Sequence, residues 1–115
     1  FSENRIQTYQ CDQTNELSIS QFIYSANIQK NSVDIIIDDG LHEFEAGKTF
    51  FENTIEYLTK NGFFIIEDVG LKDMILYKDY FSNLIKKYTV HFFNLQTPKR
   101  SKDDDNRLII ISKNF

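Results

Sequence analysis

Two short runs of large apolar residues dominate the hydrophobic pattern, Val33-Asp34-Ile35-Ile36-Ile37 and Gly62-Phe63-Phe64-Ile65-Ile66. Each ends in adjacent carboxylates, Asp38-Asp39 and Glu67-Asp68. Short runs rich in β-branched and aromatic residues read as buried strands. The rest of the pattern is helical or weakly alternating. Leu17, Ile19, Phe22, Ile23 and Ala26 predict a helix over 16–26, capped by Thr14 or Asn15. Phe44, Gly47, Phe51, Ile55 and Leu58 predict an amphipathic helix over 43–58, closed by Asn61-Gly62 in the left-handed manner. Apolar positions from Met74 to Tyr88 predict a third helix over 72–88.

Weak alternation over 5–9 predicts a short strand, and further strands are expected over 33–37, 63–66, 89–95 and 107–112. Residues 11–15 are turn-like, 27–32 form a loop, and Gly40 and Gly70 mark exits from strands. The polar stretch 97–106 is a long loop, and its Asp103-Asp104-Asp105 run is most simply a solvated one. Alternating strands and helices predict an α/β fold with a mostly parallel sheet and right-handed crossovers. The last two strands have no helix between them and are expected to pair as an antiparallel hairpin.

With 115 residues the chain holds one domain at most. A formal charge of −4 argues against a nucleic-acid backbone as the main partner. No apolar run approaches the ~20 residues of a membrane helix, and the polar start shows no secretory pattern. Cys11, the one cysteine, can form no internal disulfide, so a reduced, cytoplasmic protein is expected.

Carboxylates at strand ends lie where open α/β sheets bind ligands. If the two runs are neighbours, their ends sit ~5 Å apart. Asp39, Glu67 and Asp68 would then crowd together, which suits a hard cation such as Mg²⁺, Mn²⁺ or Ca²⁺. Strand alternation turns Asp38 the opposite way, toward a neighbouring loop or ligand. His42, three residues after Asp39 and near a helix start, is placed to act as a general base. Asp12 and Gln13 follow a strand at the same edge and could bond the exocyclic amine of a purine. His91 reads as a half-exposed strand residue. The four glycines, at 40, 47, 62 and 70, build neither a P-loop nor a dinucleotide fingerprint.

Asp38-Asp39-Gly40-Leu41-His42, followed after a helix by Asn61-Gly62-Phe63-Phe64-Ile65-Ile66-Glu67-Asp68, resembles the metal-dependent class I S-adenosylmethionine O-methyltransferases that act on macrolide and aminocoumarin sugars. Cys11-Asp12-Gln13-Thr14 is similar to that family's Gly-Asp-Gln-Ser/Thr segment. Leu41 stands where the family usually has Ser, and Asn61 replaces a Gly. The resemblance covers roughly residues 5–70. It implies a Rossmann-like methyltransferase fold, with Asp39, Glu67 and Asp68 as ligands of Mg²⁺ (or Mn²⁺) and His42 as the base. It also implies Asp12 and Gln13 beside the adenine of S-adenosylmethionine, with Asp38 on the cofactor side. The acceptor would be a hydroxyl of a sugar or similar small molecule, chosen partly by loops 70–73 and 97–106.

The glycine-rich cradle and ribose-binding acid of such enzymes have no counterpart in these residues. The chain therefore reads as the C-terminal part of one methyltransferase domain, inactive without its other half or a partner. A homo-oligomer is left open. Two other readings stay open: a Mg²⁺-binding response-regulator receiver, and a non-catalytic methyltransferase-like binding module.

Overall fold

Four strands order themselves β1-β2-β4-β3 in the computed structural model, which describes residues 3–95 and 106–115. Residues 97–105 of the predicted long loop, with the three aspartates, lie outside the described residues. The strands are β1 (Val33–Asp38), β2 (Leu58–Val69), β3 (Tyr88–Asn94) and β4 (Arg107–Lys113). β1 and β2 run parallel, with Asp38 opposite Ile66. β4 is antiparallel to both β2 and β3. The expected hairpin of the last two strands is present, and the mostly parallel sheet is met in part: β1, β2 and β3 run the same way and β4 opposes them, so one pairing is parallel and two are antiparallel. The reason is that β4 returns between β2 and β3 and presents its ladder to both.

The helices are α1 (Glu16–Ser25), α2 (Phe44–Thr54) and α3 (Leu71–Ser82). Asn15 caps α1, its side chain accepting from the Ser18 amide at 3.0 Å. Leu17 is exposed although it fits the predicted apolar face, and only Ile19 and Ile23 are buried on α1. α2 ends four residues before the predicted limit and continues as a 3₁₀ turn at Ile55–Tyr57. Leu58 opens β2, so Asn61-Gly62 lies within a strand, and no glycine has a positive φ. Gly62 serves instead where β1 comes close: a Cβ there would stand 2.5 Å from the Asp34 carbonyl. α3 is also shorter than predicted, because Asn83 ends it and Tyr88 is drawn into the ladder opposite Lys113.

Residues 5–9 do not form the predicted strand. Their neighbourhood holds only an isolated bridge, Glu3 to Ile6. A weakly alternating segment with no partner ladder leaves its backbone to turns and water.

α2 and α3 cover one face of the sheet. Phe51, Phe64, Ile66, Met74, Tyr77, Phe81, Ile109 and Ile111 close the core between them, with Phe51 edge-on to Phe64 and Phe81 at 5.2 Å. Among the described residues the other face has no such cover. Ile35, Ile37 and Phe63 are about half exposed there, and β1 is an edge strand of the described sheet. Among the described residues no helix is long and apolar enough to cross a membrane.

Candidate metal centre

The parallel pairing of β1 and β2 brings the two acidic ends together. Asp38, opposite Ile66, is the last residue of β1, so Asp39 leaves the sheet beside Glu67. Alternation then separates the first pair: Asp38 is 6% exposed, on the helix-covered side, while Asp39 is open to solvent.

The second pair is turned by a different device. Ile66 faces Ile109 and Val69 faces Arg107, so β2 carries one residue more than β4 over this stretch. That bulge contains Asp68, whose φ is +54°. An L-residue enters the left-handed region at a cost, and Asp is among those that tolerate it best. The bulge restores Val69 to the core face and swings Asp68 outward. Backbone strain of this kind, of order 1–3 kcal/mol, clusters at functional sites.

The result is a three-residue group. Ligand atoms of Asp39, His42 and Asp68 all lie within 4.8 Å of one another. His42 Nε2 is 4.0 Å from Asp39 Oδ1 and 3.9 Å from Asp68 Oδ2. Glu67 borders the same recess without belonging to that group. A cavity of about 10 Å³, close to one water in size, lies against His42, Glu67, Asp68, Asp73 and Tyr77. Among the described residues no lysine or arginine lines it. Two solvent-facing carboxylates, with an imidazole beside them and a water-sized space next to them, fit a hard divalent cation that keeps several waters.

Residues 39–43, between β1 and α2, carry Asp39 and His42. The Glu43 side chain makes no cap on α2; Asp73 of α3 accepts from the Phe44 amide instead, at 3.3 Å. This carboxylate holds the helix start across 29 residues of sequence. The sequence pattern does not single it out, because there it is simply an acid in a first turn. Tyr77 is a second such residue. It reads as a core position of α3, and it is buried, but its hydroxyl occupies the space a Cβ at Gly47 would need. Burial chiefly, then Asp38 and Asp73, push its hydroxyl above the ordinary tyrosine range, so it stays protonated.

Gln13 and Asp38 face each other. Gln13 Nε2 donates to both Asp38 oxygens at 3.2 and 3.3 Å, and Gln13 Oε1 accepts from the Leu41 amide at 2.6 Å. Asp12 is exposed. Its Oδ1 accepts from the Thr14 hydroxyl at 2.6 Å and the Thr14 amide at 2.9 Å, which lowers its pKa. A cleft of about 300 Å³ opens beside this group, lined by Gln13, Ile37, Asp38, Asp39, Gly40 and Phe50. His91, expected to be half exposed, is exposed on β3, its ring 6.3 Å from Phe93.

No protein-family model matches the chain, and no curated protein matches it. Solved structures do. The MycE methyltransferase of the mycinamycin biosynthetic pathway, crystallised with Mg and SAH, aligns with a TM-score of 0.63 at 20% identity, over 97% of this chain and 34% of its own. The same methyltransferase with Mg, SAH and mycinamycin VI aligns at 0.64 and 18% identity, over 97% and 33%. The chain thus has the fold of part of a methyltransferase and spans about a third of that protein's length.

Proposed function

We propose that this chain supplies the metal and base half of an S-adenosylmethionine-dependent, Mg²⁺-assisted O-methyltransferase acting on a hydroxyl of a sugar or similar small molecule. The observation that carries this reading is the meeting of Asp39, His42 and Asp68 at the carboxyl edge of β1 and β2. The fold shared with a methyltransferase crystallised with Mg and SAH supports it.

Asp39 and Asp68 would hold the cation, with Glu67 at the border of the recess, either as a ligand or through water. When bound, the cation lowers the pKa of an acceptor hydroxyl, and S-adenosylmethionine supplies the electrophilic methyl. His42 Nε2, between the two carboxylates, takes the hydroxyl proton. Gln13 and Asp38 line the cleft where the adenosine end would lie, and Asp12 stands exposed beside Gln13 in the chain. The methionine end finds no glycine-rich cradle among residues 3–95 and 106–115, so activity requires a further layer. The uncovered face at Ile35, Ile37 and Phe63 is where such a layer would pack.

The test is methyl transfer from S-adenosylmethionine to hydroxylated sugars, with Mg²⁺ and after chelation. Chelation should abolish turnover and Mg²⁺ or Mn²⁺ should restore it. Full turnover in chelator would overturn the metal-assisted reading.

A further inference from the structure

Residues 39–43 hold themselves together poorly. Within the segment the backbone bond runs from the Glu43 amide to the Leu41 carbonyl, at 2.8 Å. Yet this segment must present Asp39 and His42 toward Asp68, on another strand. Its anchorage comes from outside. The Gly40 amide donates to Asp38 Oδ1 at 3.2 Å, and the Leu41 amide donates to Gln13 Oε1. Gln13 itself is fixed by the buried Asp38 carboxylate through its Nε2. A Cβ at Gly40 would overlap Gln13 Oε1, so a larger residue there would displace the Gln13 side chain. The segment before α1 is thereby clamped over the end of β1.

We infer that Gln13 and Asp38 are positioning residues, a latch that holds the 39–43 segment so that Asp39 and His42 face Asp68. Both ends of the Gln13 amide are already engaged within the chain, and Asp38 points into the protein. Carboxamides and carboxylates that orient metal ligands from behind typically affect metal affinity by roughly 10–100-fold. The metal part of this inference rests on the function proposed above; the latch itself does not.

The test uses the full chain and three variants: Gln13→Ala, Gln13→Glu, and the exchange Gln13→Glu with Asp38→Asn. In Gln13→Glu two carboxylates meet and the latch opens. In the exchange variant the carboxylate now at position 13 accepts from the carboxamide now at position 38 and from the Leu41 amide, at the wild-type net charge. Amide hydrogen exchange at Leu41 and Mn²⁺ affinity are measured together. Both single variants should speed Leu41 exchange and weaken Mn²⁺ binding by about tenfold or more. The exchange variant should bring both within about threefold of wild type. Leu41 exchange equally fast in wild type and Gln13→Ala would overturn the latch, and so would an exchange variant no better than Gln13→Glu. A wild-type chain that takes no Mn²⁺ would overturn the metal reading instead, while Leu41 exchange would still decide the latch.

Discussion

The backbone at Asp68 sets stability against ligand placement, and substitutions there separate the two. Glycine adopts φ near +54° without a Cβ penalty. Alanine meets that penalty, about 1–2 kcal/mol in the left-handed region. Glycine also gains more entropy on unfolding, which offsets about 0.5–1 kcal/mol. Asp68→Gly should therefore be more stable than Asp68→Ala by roughly 0.5–1 kcal/mol, or several degrees in Tm for a domain of this size. Asp68→Asn keeps a side chain suited to the conformation and removes a charge. Carboxylate oxygens of Asp39 and Asp68 lie within 4.8 Å of each other, and two unit charges at that limit repel by about 0.9 kcal/mol in a water-like dielectric. Without metal, Asp68→Asn should thus match or exceed the wild type. Saturating Mg²⁺ reverses the order, because a ligand at about a hundred times its Kd adds about 2.7 kcal/mol to the form that binds it. Differential scanning fluorimetry with and without Mg²⁺ reads both effects. Asp68→Gly no more stable than Asp68→Ala would refute the conformational reasoning. An undiminished Mg²⁺ shift in Asp68→Asn would refute the ligand assignment.

Other outcomes follow from the same contacts. His42→Ala should retain Mn²⁺ binding and lose turnover by ~10²-fold or more, measured as initial rate at saturating substrate. Gly47→Ala should cost about 1–3 kcal/mol by overlap with the Tyr77 hydroxyl, and adding Tyr77→Phe should recover much of it in chemical denaturation. Asp12 should titrate below the ordinary 3.8 in NMR, because Thr14 donates to its charged form. Its folded-state pKa is depressed, so the turn it holds persists above 3.8 and loosens only as pH falls through the lower, folded value.

What the sequence disclosed divides along physical lines. The apolar runs ending in Asp38-Asp39 and Glu67-Asp68 announce two strands and a shared edge, because strand burial and charge at an exit are both local signals. Asn15 is legible as a cap for the same reason. The insertion of β4 between β2 and β3 is not, since it depends on which ladder a late strand finds. Neither is the bulge at Asp68: alternation counts residues evenly, and the extra one appears only against β4. The Asp73 carboxylate on α2 and the Tyr77 hydroxyl against Gly47 join residues about 30 apart. Their roles come from the packing of α2 on α3. Residues 5–9 show the reverse error, a local alternation that no neighbouring strand takes up.

The central claim is that Asp39 and Asp68 form one cation site beside His42. Paramagnetic broadening of amide signals by substoichiometric Mn²⁺ tests it most directly. Saturable broadening centred on residues 38–43 and 66–69, displaced by excess Mg²⁺ and lost in Asp39→Ala, is the predicted result. Broadening spread over acidic surface elsewhere, or unchanged in Asp39→Ala, would contradict it.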